Sequence, residues 1–186
     1  MIALSHLWLP IIVSAVAVFV VSALLHMLFT YHNSDYRKFS NEDDVRAAIN
    51  QGGATAGQYI LPYAVGTGFK DPVVQQKMKE GPAGFVLLRK PSGPEMGPAL
   101  VQWFVLTLVL SCLVAYVAAM TLAPGTDHMA VFRVVTATAF LAYAGSVAEE
   151  SIWRAVPWSA GIKAIFDGLV FALVTGGLFA VMWPAQ

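Results

Sequence analysis

The sequence predicts an all-α integral membrane protein: a four-transmembrane-helix bundle with a small mixed α+β cytoplasmic insertion between helices 1 and 2. Three observations carry this. Of the 186 residues, 58% are apolar and 12% charged, against roughly 45 to 50% and about 25% in ordinary soluble domains; the mean hydropathy is +0.66. Crossing a bilayer core of roughly 30 Å takes about 20 predominantly apolar residues, and Leu7 to Phe29, Ala99 to Leu122, Met129 to Ala148 and Ala160 to Trp183 are each long enough. The cations cluster in alternate connections, which orients the spans.

The first span has an apolar core too long for a signal-peptide h-region and no Lys or Arg before it, so it is expected to be retained. Residues 1–29 thus form the N-terminal tail and transmembrane helix 1, 30–98 a cap segment, and 99–186 transmembrane helices 2 to 4. Residues 30 to 98 hold Arg37, Lys38, Arg46, Lys70, Lys77, Lys79, Arg89 and Lys90, and the third connection adds Arg154, with Lys163 just inside helix 4. Residues 1 to 6, 123 to 128 and 184 to 186 hold none, and Arg133, one turn into helix 3, can snorkel outward. Cytoplasmic loops retain cations, so both termini are expected on the periplasmic side of a bacterial inner membrane, in a multi-pass arrangement. Trp8 and Trp183 fall at the outer interface and Trp103, Trp153 and Trp158 at the inner one, as an aromatic belt requires.

The cap segment has seven acids against eight bases, too balanced for a polybasic lipid-binding stretch, so it is expected to fold. Ser40 and Asp43 have capping-box spacing, Val45, Ala48 and Ile49 make an apolar stripe and Gly52-Gly53 ends it, predicting a helix over 41–50. Asp71 as cap, Pro72 at the first position and Gly81 as terminator predict a second helix from Pro72 to about Glu80. Gln58 to Tyr63 and Gly84 to Arg89 are apolar and bounded by Gly or Pro, as short strands are. Four such elements are too few to bury a core alone, so they are expected to pack on the cytoplasmic ends of the helices. Pro91 to Pro98 predicts a stiff lead-in to helix 2.

Helices associate in lipid by close packing, which favours small residues four apart. Helix 4 carries Ala160, Ala164, Gly168, Ala172, Gly176 and Ala180; helix 2 carries Thr107, Ser111, Ala115, Ala119 and Ala123; helix 3 carries Thr138, Ala142 and Ser146. These faces serve either a partner protein or packing of the bundle on itself, and the second needs fewer assumptions.

Ionisable groups inside a span are costly and therefore candidates for function. Asp167 lies about 10 Å inside helix 4, and Lys163 precedes it by one turn, where an i,i+4 pair can form. Glu149 and Glu150 end helix 3, with Arg154 close by as a partner; adjacent carboxylates lie about 100° apart on a helix and do not share one ligand equally. His26 and His32 fall near the same surface, but six residues along one helix points them to different faces, so no metal site is expected. His6, Asp127 and His128 lie at the opposite end, and Cys112, beside Ser111, is expected as a small packing residue.

The C-terminal stretch PWSAGIKAIFDGLVFALVTGGLFAVMWP carries Pro157 and Trp158 before the last span, Asp167 near its start, Gly176 and Gly177 midway, and Trp183 and Pro184 at its end. In these features it resembles the last hairpin of a family of short bacterial four-helix membrane proteins of unknown function. The resemblance covers about a third of the chain, leaves out the long first cytoplasmic segment, and implies the four-span fold without an activity.

Charge balance excludes nucleic acid as a partner: 11 Lys and Arg offset 11 Asp and Glu, leaving nothing to neutralise a phosphate backbone. A lone cysteine excludes intrachain disulfides and thiolate zinc sites. No nucleophile elbow, HExxH, P-loop or GxGxxG occurs, so an enzyme is not expected and no cofactor is implied. The expected function is an accessory, assembly or scaffold subunit of a larger bacterial membrane complex, acting through helix-helix contacts with other membrane subunits or by self-association among membrane lipids. The alternative is a small oligomeric transporter or an ion- or proton-conducting protein using Asp167, Glu149 and Glu150.

Overall fold

The computed structural model describes residues 2–93 and 96–185. Four helical stretches are long and apolar enough to cross a membrane: Leu4–Leu28, Gly97–Thr121, His128–Trp153 and Trp158–Val181. The first joins a 3-10 turn (Leu4–Leu7), helix α1 (Trp8–Ala23) and a π-helical turn (Leu24–Leu28). The second is α4 (Gly97–Thr121) and the fourth α7 (Trp158–Val181). The third, expected as one helix ending near Ala148, breaks after α5 (His128–Ala144) at Gly145 and Ser146 and resumes as α6 (Val147–Trp153).

In cross-section the bundle is a ring. α7 packs most extensively on α5 and also on α1, while α4 packs on α1 and α5, so α4 and α7 occupy one diagonal. Inside lie small and polar residues beside larger apolar ones: Ser14, Ala15 and Val18 of α1; Ser111, Val114, Ala115 and Ala119 of α4; and Gly168, Phe171, Ala172, Gly176, Phe179 and Ala180 of α7. Outside stand long aliphatic side chains such as Val20, Val109, Leu113, Leu173 and Val181. Apolar side chains thus stand on the outside as well as in the core, which is compatible with a hydrocarbon surrounding, where close backbone approach contributes to helix association.

Glycine makes the α5–α7 approach possible. A Cβ on Gly168 would lie 2.8 Å from the Cβ of Ala144, and one on Gly176 would overlap Thr136 Oγ1. Only one partner at such a crossing has to be small. α5 therefore fills its inner face with Val131, Val135 and Ala139, whereas Ala142 and Ser146, expected as its small face, are exposed. Cys112, expected to pack, also points outward. Polar side chains bridge the helices as well: Ser14 and Ser111 share a hydrogen bond of 2.5 Å, and Trp103 Nε1 donates to Ser22 Oγ at 2.7 Å.

Between α1 and α4 lie α2 (Glu42–Gln51), β1 (Gly57–Leu61), α3 (Pro72–Glu80) and β2 (Gly84–Leu88). The strands pair antiparallel, Gly57 opposite Leu88 and Leu61 opposite Gly84. Asp71 caps α3 by accepting from the Val73 amide at 2.8 Å, and Gly81 ends it at φ +69°. Asn41, not Ser40, holds the cap position of α2, and no side chain caps it. Of the expected lead-in, Pro94 and Glu95 lie outside the described residues. The insertion also packs less closely on the bundle than anticipated: among its described residues only Pro62 and Ala64 are buried, and Arg154 Nη2 reaches Gln58 Oε1 at 3.1 Å.

Candidate functional site: a buried carboxylate between a polar network and an apolar cavity

The chain just after α1 builds the site. The π turn widens the end of α1, with the Phe29 amide returning to the Leu24 carbonyl, and Phe29 then adopts an extended conformation (φ −90°, ψ 125°). A 3-10 segment, Thr30–Asp35, follows and packs against α7. This break in helical geometry undoes the expectation that His26 and His32 point apart, since positions six apart diverge only along a continuous helix.

Asp167, almost fully buried on α7, is the centre. The Tyr31 hydroxyl donates to its Oδ1 and His32 Nε2 lies 2.8 Å from its Oδ2. The other ring nitrogen of His32, Nδ1, lies 2.7 Å from Asp35 Oδ2. Lys163 does not pair with Asp167, contrary to the i,i+4 expectation. Its ammonium donates to Asp35 Oδ1, Ser34 Oγ and the Tyr31 carbonyl, each at 2.7 Å. An ammonium has three protons, so all are committed, and the loop offers three acceptors where Asp167 would offer one.

The electrostatics follow from these contacts. The hydrogen bond from Lys163 and then that from His32 hold Asp35 below the ordinary carboxylate range. Burial, followed by the hydrogen bond to the Asp167 carboxylate, raises the Tyr31 phenol, which keeps its proton and remains a donor. His32 stands between two carboxylates, and a neutral imidazole has only one N–H to give. With His32 neutral, Lys163, Asp35 and Asp167 sum to one net negative charge. One added proton both satisfies the second carboxylate and restores neutrality.

His26 completes the cluster from the end of α1. Its Nδ1 lies 3.0 Å from the Ser22 carbonyl and must donate, and its Nε2, a lone pair in the neutral ring, lies 3.8 Å from Asp167 Oδ2. Donor atoms of His26, His32 and Asp167 lie within 4.8 Å of one another, closer than the sequence suggested. The two imidazoles are stacked, however, with centroids 4.6 Å apart and planes within 9°. Their in-plane lone pairs do not converge, so this arrangement suits a proton better than a shared metal ion; an ion would require the His26 ring to turn.

On its other side Asp167 lines a cavity of about 390 Å³ between α1, α4, α5 and α7, together with Ser22, His26, Trp103, Tyr143 and Phe171. Of the remaining candidates, Glu149 and Glu150 are exposed in the first turn of α6, and Glu150 pairs with Arg154 at 3.3 Å. Neither enters the cluster. At the opposite end Asp127 caps α5 through the Met129 and Ala130 amides, and His128 Nδ1 bonds to the Ala180 carbonyl. Tyr31 and Asp35 went unnoticed in the sequence, although the dense polar run Thr30–Asp35 directly after an apolar span was a legible sign. Comparison of the chain with protein-family models, curated proteins and solved structures finds no match, and no family is shown for it.

Proposed function

We propose that this chain is a four-span inner-membrane protein that takes up and releases a proton at the Asp167–His32 pair, in the service of transport through or into the bundle. The observation that carries this is the position of Asp167: a carboxylate with little solvent contact, joined through His32 to Asp35 at the bundle's end and facing an apolar cavity on its other side. Ionisable groups kept inside a span at such cost commonly serve proton or substrate pathways. Lys and Arg asymmetry supports placing this end and residues 30–98 in the cytoplasm, with both termini periplasmic.

The test is infrared difference spectroscopy of the purified protein between acidic and alkaline pH. Proton uptake by the pair gives a carboxyl or imidazolium band that Asp167→Asn removes, with the melting temperature reporting that the variant is folded. Identical difference spectra in wild type and variant would overturn the proposal.

A second role, as accessory subunit, draws on a different observation. The small faces of α4 and α7 are occupied within the bundle, but residues 36–93 leave Tyr36, Phe39, Tyr63 and Leu87 exposed. Contact with another membrane subunit through this segment would cover them, and mass spectrometry of chains co-purifying in gentle detergent tests it.

A further inference from the structure

The chemistry of the cavity wall narrows what it admits. All four spans contribute an aromatic ring: Phe19 from α1, Trp103 from α4, Tyr143 from α5 and Phe171 from α7. Trp103 and Phe171 lie 6.1 Å apart at 56°, and Tyr143 and Phe171 5.6 Å apart at 70°, so the rings tilt against one another instead of stacking flat. The indole N–H of Trp103 is spent on Ser22, whose hydroxyl is spent on the Phe19 carbonyl.

The polar end is rich in acceptors. Asp167 brings a carboxylate and His26, in its neutral form, a lone pair, while among the described residues no Lys or Arg lines the space, Lys163 being turned to the loop. An anion meets the like charge of the Asp167 carboxylate here. A positive charge finds a carboxylate and π-faces, the combination that recognises ammonium-type ligands. The volume lies within the range of small-molecule sites.

We propose that this cavity binds a lipid-soluble organic cation, an ammonium group carrying an aromatic or alkyl body, and that the cation and a proton replace one another on the Asp167 network. This rests on the proton reading above and names its counterpart. In the form with His32 neutral, Lys163, Asp35 and Asp167 lack one positive charge between them, and either ligand supplies it. Among the described residues, the titratable groups facing Asp167 are His26 from the end of α1, Tyr31 and His32 from the loop and Tyr143 across the cavity on α5, while Asp35 and Lys163 pair with each other on the far side of His32. Two ligands that neutralise one charge oppose each other by linkage.

Benzyltrimethylammonium is a suitable probe, because it has no proton of its own to lose, and neopentylbenzene is its neutral isostere. Calorimetric titration of the full chain in nanodiscs, in buffers of different ionisation enthalpy, is expected to show cation binding that releases up to one proton and tightens by up to about ten-fold per pH unit where the network is protonated. Neopentylbenzene should bind at least about ten-fold more weakly, a comparison that needs no variant. Asp167→Asn should abolish the proton release, and Trp103→Leu should weaken the cation several-fold with Asp167 untouched. Equal binding of the neutral isostere, binding indifferent to pH, or stoichiometric Co²⁺ binding with no cation binding would overturn the proposal. If the infrared signature of Asp167 persists while the cation fails to bind, this inference alone falls; if both are missing, the two fall together.

Discussion

Asp35 illustrates how one loop side chain organises a buried site. It accepts from Lys163 and faces His32, each at 2.7 Å, so it fixes the imidazole that in turn meets Asp167. Its carboxyl is held below the ordinary 3.8, chiefly by Lys163. A depressed carboxyl contributes stability that is fully present above the unfolded value and is lost as pH falls through the folded one. The melting-temperature gap between wild type and Asp35→Asn is therefore expected to be full at neutral pH and to close on acidification below about pH 3.8. A double-mutant cycle of Asp35→Asn with Lys163→Met should show coupling of about 1 kcal/mol or more, larger than that of Lys163→Met with Asp167→Asn. The reverse order would mean that the i,i+4 pair forms after all.

The α5–α7 pairing depends on which glycine faces the neighbour. Gly176 lies against Thr136 and the Phe132 carbonyl, whereas a Cβ on the adjacent Gly177 meets nothing within 4 Å. Gly176→Ala should destabilise by about 1 to 3 kcal/mol through overpacking, and Gly177→Ala should change little or gain slightly from helix propensity. Thermal unfolding in detergent compares them; equal effects would mean that α5 and α7 do not cross at Gly176. The break between α5 and α6 acts at the same level. By ending the long helix at Gly145, it leaves Glu149 and Glu150 outside the Asp167 cluster, although they stood beside Asp167 as candidates on composition alone.

The whole chain divides unequally, into a ring of helices with a packed centre and an insertion with little interior of its own. Residues 30–35 pack against α7, whereas residues 36–93 touch the bundle more sparsely, as where Arg154 reaches Gln58. If the cations face the cytoplasm, a cysteine at Gln51 in a Cys112→Ser background should resist a membrane-impermeant reagent in intact spheroplasts while one at Ala185 is modified. The opposite pattern would invert the topology and place the Asp167 network at the outer surface.

Four apolar stretches of spanning length, the two insertion helices and both strands were legible in the residues themselves, because hydropathy, Pro and Gly punctuation and an Asp cap act over a few neighbours. Asp167 was legible too, as an acid in an apolar helix. Its partners were not. Whether Lys163 turns to Asp167 or to Asp35 is decided by a loop arriving from more than 120 positions away in sequence, and three acceptors outweigh one. His26 and His32 meet because a π turn and an extended Phe29 interrupt the helix between them, and the aromatic walls of the cavity come from four different spans. Local sequence determines which segments become helices; the packing of those helices decides which side chains share a site, since that depends on distances between elements that no short window contains.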